Sequence, residues 1–451
     1  MTTNIDLQDK ANRYLWMQAK GWADMAEMGE PIIIDHATGI SVTDIEGNTW
    51  LDVNGGYASV NIGYGKKEIA DAVMHQMLQL SYYPEQTTTL PNVLLAEKLA
   101  ELTPGDLTRV WPVSGGSEAN EIAIRMARAY HVRRGDKGRY KIISRKGSYH
   151  GATFGVAWLG RSQFMGLDEY EPGPPGMIYA AQPNPYNCEF GGKSPAECAA
   201  LCAKDVENLI IQNQPDTVAA FIGEPITSSL GAVVPGDKYW PLIREICDYY
   251  GVVLIDDEVV CGFGRTGKMF GMDHFGITPD IMTFAKGLGS SYIPVGAVIA
   301  TSQIADAFAG KENIFYAALT AGGHPVSAAS ALMNINIIQK EGLVDCSAKA
   351  GQYFIDCLKD LADRHSIVGD VRGLGLLVAL EIDPKVNFTI DDEGLAKWLV
   401  RKFKERGLLL RTLSRVIQMS PPLCVTQIEI DLIVEALDST LTELASYISK
   451  G

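Results

Sequence analysis

The chain has 451 residues, 47% of them hydrophobic and 21% charged, enough to bury a large core across two or three domains' worth of chain. Asp and Glu outnumber Lys and Arg 54 to 39, a net charge of −15 with no basic block to offset it, which argues against a nucleic-acid backbone as partner. The stretch Met1 to Lys20 has no apolar signal core, and no run approaches the ~20 apolar residues of a membrane span, so the expectation is a globular cytoplasmic protein with no membrane partner.

In chain order, the short apolar stretch Val110–Val113 leads into a helical pattern from Glu118 to Arg134. Ile122, Met126, Ala129 and Tyr130 share one face there, and Gly135 closes the helix. Continuous β-rich runs follow at Lys141–Ser144, Val218–Ile222, Val252–Ile255, Ile281–Phe284 and Val295–Ala300, the composition of strands buried on both faces. Residues 165–200 are loop-rich but too short to separate domains. The alternation predicts an α/β domain with a covered, mostly parallel sheet. A Gly-containing strand at Val371–Leu380, a helix at Glu393–Arg406 and a last amphipathic helix from Thr426 predict a smaller α+β domain. Eight cysteines are scattered along the chain; Cys198 and Cys202 stand one helical turn apart with no second Cys/His pair at ligand spacing. The reading there is buried thiols and no metal.

Five motifs bear on chemistry. Ser114-Gly-Gly-Ser117-Glu-Ala-Asn120 opens the first helix with small residues, which fits either an anion cradle at a helix N-terminus or an ordinary Ser cap. Gly262-Phe-Gly264-Arg-Thr-Gly267 matches a dinucleotide fingerprint in letters only, because the preceding strand ends too early and no helix follows; a turn-rich loop is the better account. Asp256, Asp257 and Glu258 stand at the carboxyl end of a buried strand, where α/β sheets place ligands, although solvated loop acids would read the same. Lys286 ends an apolar strand just before glycines, either as a desolvated amine nucleophile or as a surface lysine. Tyr149-His150-Gly151 offers an aromatic face, or simply packing. Together an anion cradle, an aromatic face, an acid and a lysine form the kit that pyridoxal phosphate needs.

With those residues in view, the sequence resembles the class III pyridoxal-phosphate aminotransferases from about Leu15 to the C-terminus. Gly223-Glu-Pro-Ile226 and Ser420-Pro-Pro-Leu423 add to the motifs above, and Val60-Asn-Ile-Gly-Tyr-Gly65 with Asp237-Lys-Tyr-Trp240 is similar to the amine and ω-amino acid:pyruvate branch. The resemblance implies the aspartate-aminotransferase fold (fold type I), with a large domain at 60–330 and a small one from 1–59 and 331–451. It implies that Lys286 holds the cofactor as a Schiff base and then shuttles a proton, and that Asp257 pairs with the ring nitrogen. Gly116 and Ser117 would bind phosphate, Tyr149 and Val259 would pack on the two ring faces, and Glu224 would support from nearby. Thr320 would reach the phosphate of a partner subunit, implying a homodimer. Arg411 would pair with an acceptor carboxylate, and Trp16, Tyr57 and Ala58 would line the substrate pocket.

Three departures stand out. The family segment His-Gly-x-Thr-Tyr is here Ala317-Ala-Leu-Thr320-Ala321. Where close relatives often place Trp, this chain has Ala58, which implies room for bulkier amines. Ornithine- and GABA-type members carry Glu where this chain has Ser229, which argues against those substrates. The implied reaction moves an amino group from a primary amine or ω-amino acid to pyruvate or a similar 2-oxo acid. The alternative is a racemase, epimerase or aminomutase on the same cofactor.

Overall fold

Three short strands open the sheet structure near the N-terminus: β1 (Ile34–Thr38), β2 (Ser41–Asp44) and β3 (Thr49–Asp52). They come from a computed structural model that describes residues 4–18, 21, 31–84 and 87–448. The central sheet is built from β4 (Leu107–Val113), β5 (Lys141–Arg145), β6 (Met177–Ala180), β7 (Val218–Gly223), β8 (Val253–Asp257), β9 (Ile281–Phe284) and β10 (Gly296–Thr301). Its order is β4-β10-β9-β8-β7-β5-β6. Strands β9, β8, β7, β5 and β6 run parallel, and β10 is antiparallel to both of its neighbours. This is the mostly parallel α/β sheet expected from the β-rich runs. Pro112 is tolerated in β4 because β4 is an edge strand.

Alternation along β8 shows why those runs carry no polar face. Val253 and Ile255 pack with Ile122 and Met126 of the helix Gly116–Arg133, while Leu254 packs with Val206 and Ile243 of two helices on the other side. Successive strand side chains point to opposite faces, so both faces are buried. The same period carries Asp257 to the side of the Gly116–Arg133 helix. Sequence bounds on β8 fall two residues short, because the strand continues through Asp256 and Asp257, which lie opposite Met282 and Thr283 of β9.

The remaining strands are β11 (Val368–Leu374), β12 (Leu377–Ile382), β13 (Leu408–Leu409), β14 (Arg411–Leu413) and β15 (Val416–Met419). The stretch read as one strand at Val371–Leu380 is an antiparallel hairpin, because Gly375 takes φ +54° and turns the chain between β11 and β12. β13 pairs in parallel with β3, which joins the two ends of the chain in one sheet. The helices Asp392–Glu405 and Gln427–Ala445 match the predicted ones, the second capped by Thr426 and Glu429.

Candidate active site

The helix Gly116–Arg133 begins with no side-chain cap: its N-cap is Gly115, and Ser114 instead donates its backbone N–H to Glu118 at 2.8 Å. The first helical N–H groups therefore remain available to an anion, which sets aside the ordinary Ser cap. Gly116 is needed for close approach, since a Cβ there would lie 2.9 Å from Val259 and 3.6 Å from Ala285. The Ser117 hydroxyl accepts from the Ala152 N–H at 3.0 Å, which ties the cradle to the loop after Tyr149-His150.

Asp257 is buried at the end of β8, and four groups hold it. The His150 ring Nδ1 lies 2.7 Å from Oδ2, Asn120 donates to the same oxygen at 2.8 Å, and the Val259 N–H donates to Oδ1 at 3.0 Å. Thr283 donates to Asn120 at 2.8 Å and lies 3.4 Å from Asp257. None of the three acids is a solvated loop acid. Glu258 accepts from the N–H groups of Gly271 and Met272, and burial pushes its carboxyl up to about 8. Asp256 is pushed well above the usual range by burial and by the charges of Glu258 and Asp257.

Behind His150 lies a second buried ion pair. Glu224 accepts from Arg145 at 2.9 Å, from Ser148 at 2.9 Å and from the Tyr149 N–H at 3.2 Å, and stands 3.9 Å from the His150 ring. Burial alone would discharge Glu224 and His150. Instead the charges of His150 and Arg145 hold Glu224 below its usual range, and Glu224 with Asp257 raises His150 above its own. Pairing outweighs desolvation here.

Lys286 follows β9 in the left-handed region at φ +40°, a backbone cost of about 1–2 kcal/mol for a non-glycine residue. The turn is held from outside by Asn334, whose side chain donates to the Gly287 and Leu288 carbonyls at 2.8 Å each. Burial brings the Lys286 ammonium down to about 8, opposed by the charge of Asp257 and assisted by that of Arg411. A lysine so placed is a usable amine near neutral pH. Tyr149 lies within electrostatic reach of both Asp257 and Arg411, and burial raises its phenol.

Arg411 lies on β14 with its guanidinium 4.2 Å from the Phe164 ring centroid and 5.7 Å from that of Tyr57. Among the described residues it forms no ion pair. Tyr57 belongs to a left-handed helical turn in which Gly55, Gly56, Tyr57 and Ala58 have φ of +53°, +57°, +63° and +56°. Tyr57 is 63% exposed and Ala58 3% exposed. Ser229 is buried and donates to the Gly147 carbonyl at 2.7 Å.

The structure thus gathers Lys286, Asp257, Gly116, Ser117, Tyr149, Val259, Glu224, Arg411 and Tyr57 around the carboxyl ends of β7, β8 and β9. It leaves two residues elsewhere in the single chain. Trp16 follows the helix Asn4–Tyr14 and is 84% exposed, and Thr320 is exposed with its carbonyl bonded to the Tyr82 hydroxyl at 3.0 Å. Sequence reasoning quoted His150 and Asn120 without giving them a role, and it missed Phe164, Arg145 and Thr283. The Gly262–Gly267 segment is a set of buried turns closed around Arg265, which donates to the Leu376 and Pro421 carbonyls and to Asn61.

A strand-end lysine, an acid opposite it and an open helix N-terminus fit pyridoxal phosphate: aldehyde, ring nitrogen and phosphate each find their partner. The sequence pattern of the family described as "Aminotransferase class-III" matches residues 24–441. The putrescine–pyruvate aminotransferase of Pseudomonas aeruginosa is 37% identical over 422 residues, covering 92% of this chain and 91% of that protein. The taurine–pyruvate aminotransferase of Bilophila wadsworthia is 38% identical over 431 residues, covering 92% of each. The crystal structure of a thermostable (S)-enantioselective ω-transaminase from Thermomicrobium roseum superposes with a TM-score of 0.93 at 35% identity, over 98% of this chain and 99% of that one. The chain belongs to the class III aminotransferases, enzymes that work with pyridoxal phosphate.

Proposed function

We propose that the enzyme transfers an amino group from a primary amine or ω-amino acid to pyruvate or a similar 2-oxo acid. The observation that carries this reading is Arg411, a cation without an ion-pair partner among the described residues, held between aromatic rings within electrostatic reach of Lys286. An unpaired, partly buried guanidinium is matched to a carboxylate by geometry and charge, and the acceptor carries one. An uncharged amine does not need it, and the Phe164 and Tyr57 rings suit an apolar donor.

When bound, pyridoxal phosphate supplies a carbonyl that captures the amine and a ring that stores its electrons. The chain's own groups do the rest. The open N-terminus at Gly116 and Ser117 would hold the phosphate, and Asp257, kept in place by His150 and Asn120, would hold the ring-nitrogen proton. Lys286 Nζ would hold the cofactor through its aldehyde and, as an amine near neutral pH, would serve as the base that moves the substrate proton.

The working unit in this reading is a homodimer in the cytoplasm. The helices Lys67–Gln79 and Leu90–Leu102 present Met74, Met77, Leu78, Leu90 and Val93 outward, with Leu78 83% and Leu90 68% exposed. Exposed apolar side chains of this number and size on two helices that both pack on Pro325–Lys340 favour a partner. Tyr82, between these two helices in sequence, holds Thr320, the residue that would serve the partner's phosphate site. A panel of amines mixed with pyruvate, scored by alanine formed, tests the reaction. Alanine that depends on both amine and pyruvate supports it, and turnover of the amine without any 2-oxo acid contradicts it.

A further inference from the structure

Cys198 and Cys202 lie on the helix Pro195–Gln212, fully buried, with their sulfurs 4.0 Å apart. The loop before that helix brings Cys188 to them, so that all three sulfurs lie within 4.8 Å of one another. Cys188 keeps partial exposure. Its turn is closed by the Gly191 N–H donating to the Cys188 carbonyl at 2.9 Å, with Gly191 at φ +70°. Gly192 admits no side chain, since a Cβ would stand 2.8 Å from the Cys198 nitrogen and 3.2 Å from the Cys188 sulfur. The backbone is thereby wrapped around one sulfur.

We propose that Cys188, Cys198 and Cys202 form a binding site for a thiophilic divalent cation of the zinc type, with water in the fourth position on the exposed side of Cys188. The spacing decides between coordination and oxidation. Zinc–sulfur bonds of about 2.3 Å in a tetrahedron place sulfurs about 3.8 Å apart, close to the observed 4.0 Å. A disulfide between the helical pair requires about 2.05 Å, half of that separation. Each thiol that binds the ion gives its proton to solvent, and neither metal nor sulfur changes oxidation state. In the metal-free protein the Cys202 thiol donates to the Gln182 carbonyl at 3.4 Å, a bond that coordination would replace, and the Gln182 amide donates to Ser148, a Glu224 partner, at 3.1 Å. Through Cys188 the ion would tie the 188–192 turn to the helix Pro195–Gln212, away from the reacting atoms.

The test uses reduced holoenzyme equilibrated with Zn²⁺, desalted, and assayed for metal per chain by mass spectrometry. Cys188→Ser serves as the site variant and Cys346→Ser, an exposed thiol elsewhere, as the control. The expected result is about one zinc per chain in the parent and in Cys346→Ser. Even loss of a group that only supports a ligand weakens a metal site about 10–100-fold, so Cys188→Ser should weaken affinity by more than about 100-fold. Co²⁺ should give the red-end visible bands of a tetrahedral thiolate site, clear of the cofactor's absorbance and absent in Cys188→Ser. Unchanged transaminase activity and melting temperature in metal-free Cys188→Ser show that the variant folds; should it fail to fold, Zn²⁺-dependent protection of Cys188 from alkylation in the parent, read by peptide mass, takes its place. No zinc retained, equal retention in Cys188→Ser, or a disulfide between Cys188 and Cys198 in place of metal would overturn the proposal.

Discussion

His150 and Asp257 share a hydrogen bond of 2.7 Å in a place closed to water, and a second carboxylate, Glu224, stands 3.9 Å from the same ring. The pairing raises His150 above its ordinary range, and the ring together with Asn120 fixes the orientation of the Asp257 carboxyl at the end of β8. Replacing His150 with Gln should lower kcat about tenfold to a hundredfold through misplacement of Asp257 while the cofactor is still bound. Steady-state kinetics together with cofactor content check this.

The same pairing sets a pH dependence. His150 has a raised pKa in the fold, so the stability it contributes is complete below the unfolded value of about 6.5. That contribution is lost as pH rises through the folded value. The melting-temperature gap between the parent and His150→Gln should therefore narrow as pH increases. A gap independent of pH would place a neutral ring there.

Glu258 adds a second slope, shared with Asp256 beside it. Its folded value of about 8 lies above an ordinary glutamate, so the unfolded chain loses its proton first and stability falls as pH rises toward 8. The loss is about 1.4 kcal/mol per pH unit for a single fully shifted carboxyl, and it levels off above the folded value. Glu258→Gln should flatten that part of the profile in denaturant titrations at successive pH values.

Arg411 separates the two substrates. Hydrogen bonds to a charged group contribute about 1.5–3 kcal/mol each, so Arg411→Leu should raise the pyruvate KM about tenfold to a hundredfold. The half-reaction with an uncharged amine should change little. Phe164→Ala, which removes the ring 4.2 Å from the guanidinium, should raise the same KM by a smaller factor.

Ala58 offers a test of donor size. The position is buried beside Tyr57, and an indole there would occupy far more volume than a methyl. Ala58→Trp should slow a bulky amine about tenfold relative to a small one. Equal ratios in both proteins would assign donor size to other residues.

Much of this was legible in the residue string, for identifiable reasons. Strands buried on both faces need unbroken β-rich runs, so β5, β7, β8, β9 and β10 could be located to within two residues, and with them the strand-end positions of Asp257 and Lys286. What could not be read depends on contacts between distant segments. Nothing local to His150 indicates that Asp257, 107 residues on, lies against its ring. Phe164 sits in a loop-rich stretch with no periodicity, and only the fold brings it to Arg411. The pair Gly55-Gly56 signals a tight turn, yet the left-handed conformation runs on through Tyr57 and Ala58, which residue preference opposes. Cys188 stands ten residues from Cys198 across a turn, outside any helical spacing.

The account depends on which amine carries the cofactor. Reduction of the holoenzyme with borohydride, followed by digestion and mass spectrometry, should find the pyridoxyl mass on the peptide containing Lys286 and on no other lysine. Lys286→Ala should carry no label and lose at least about a thousandfold in turnover. Label on a different lysine, or turnover retained in Lys286→Ala, would contradict the assignment.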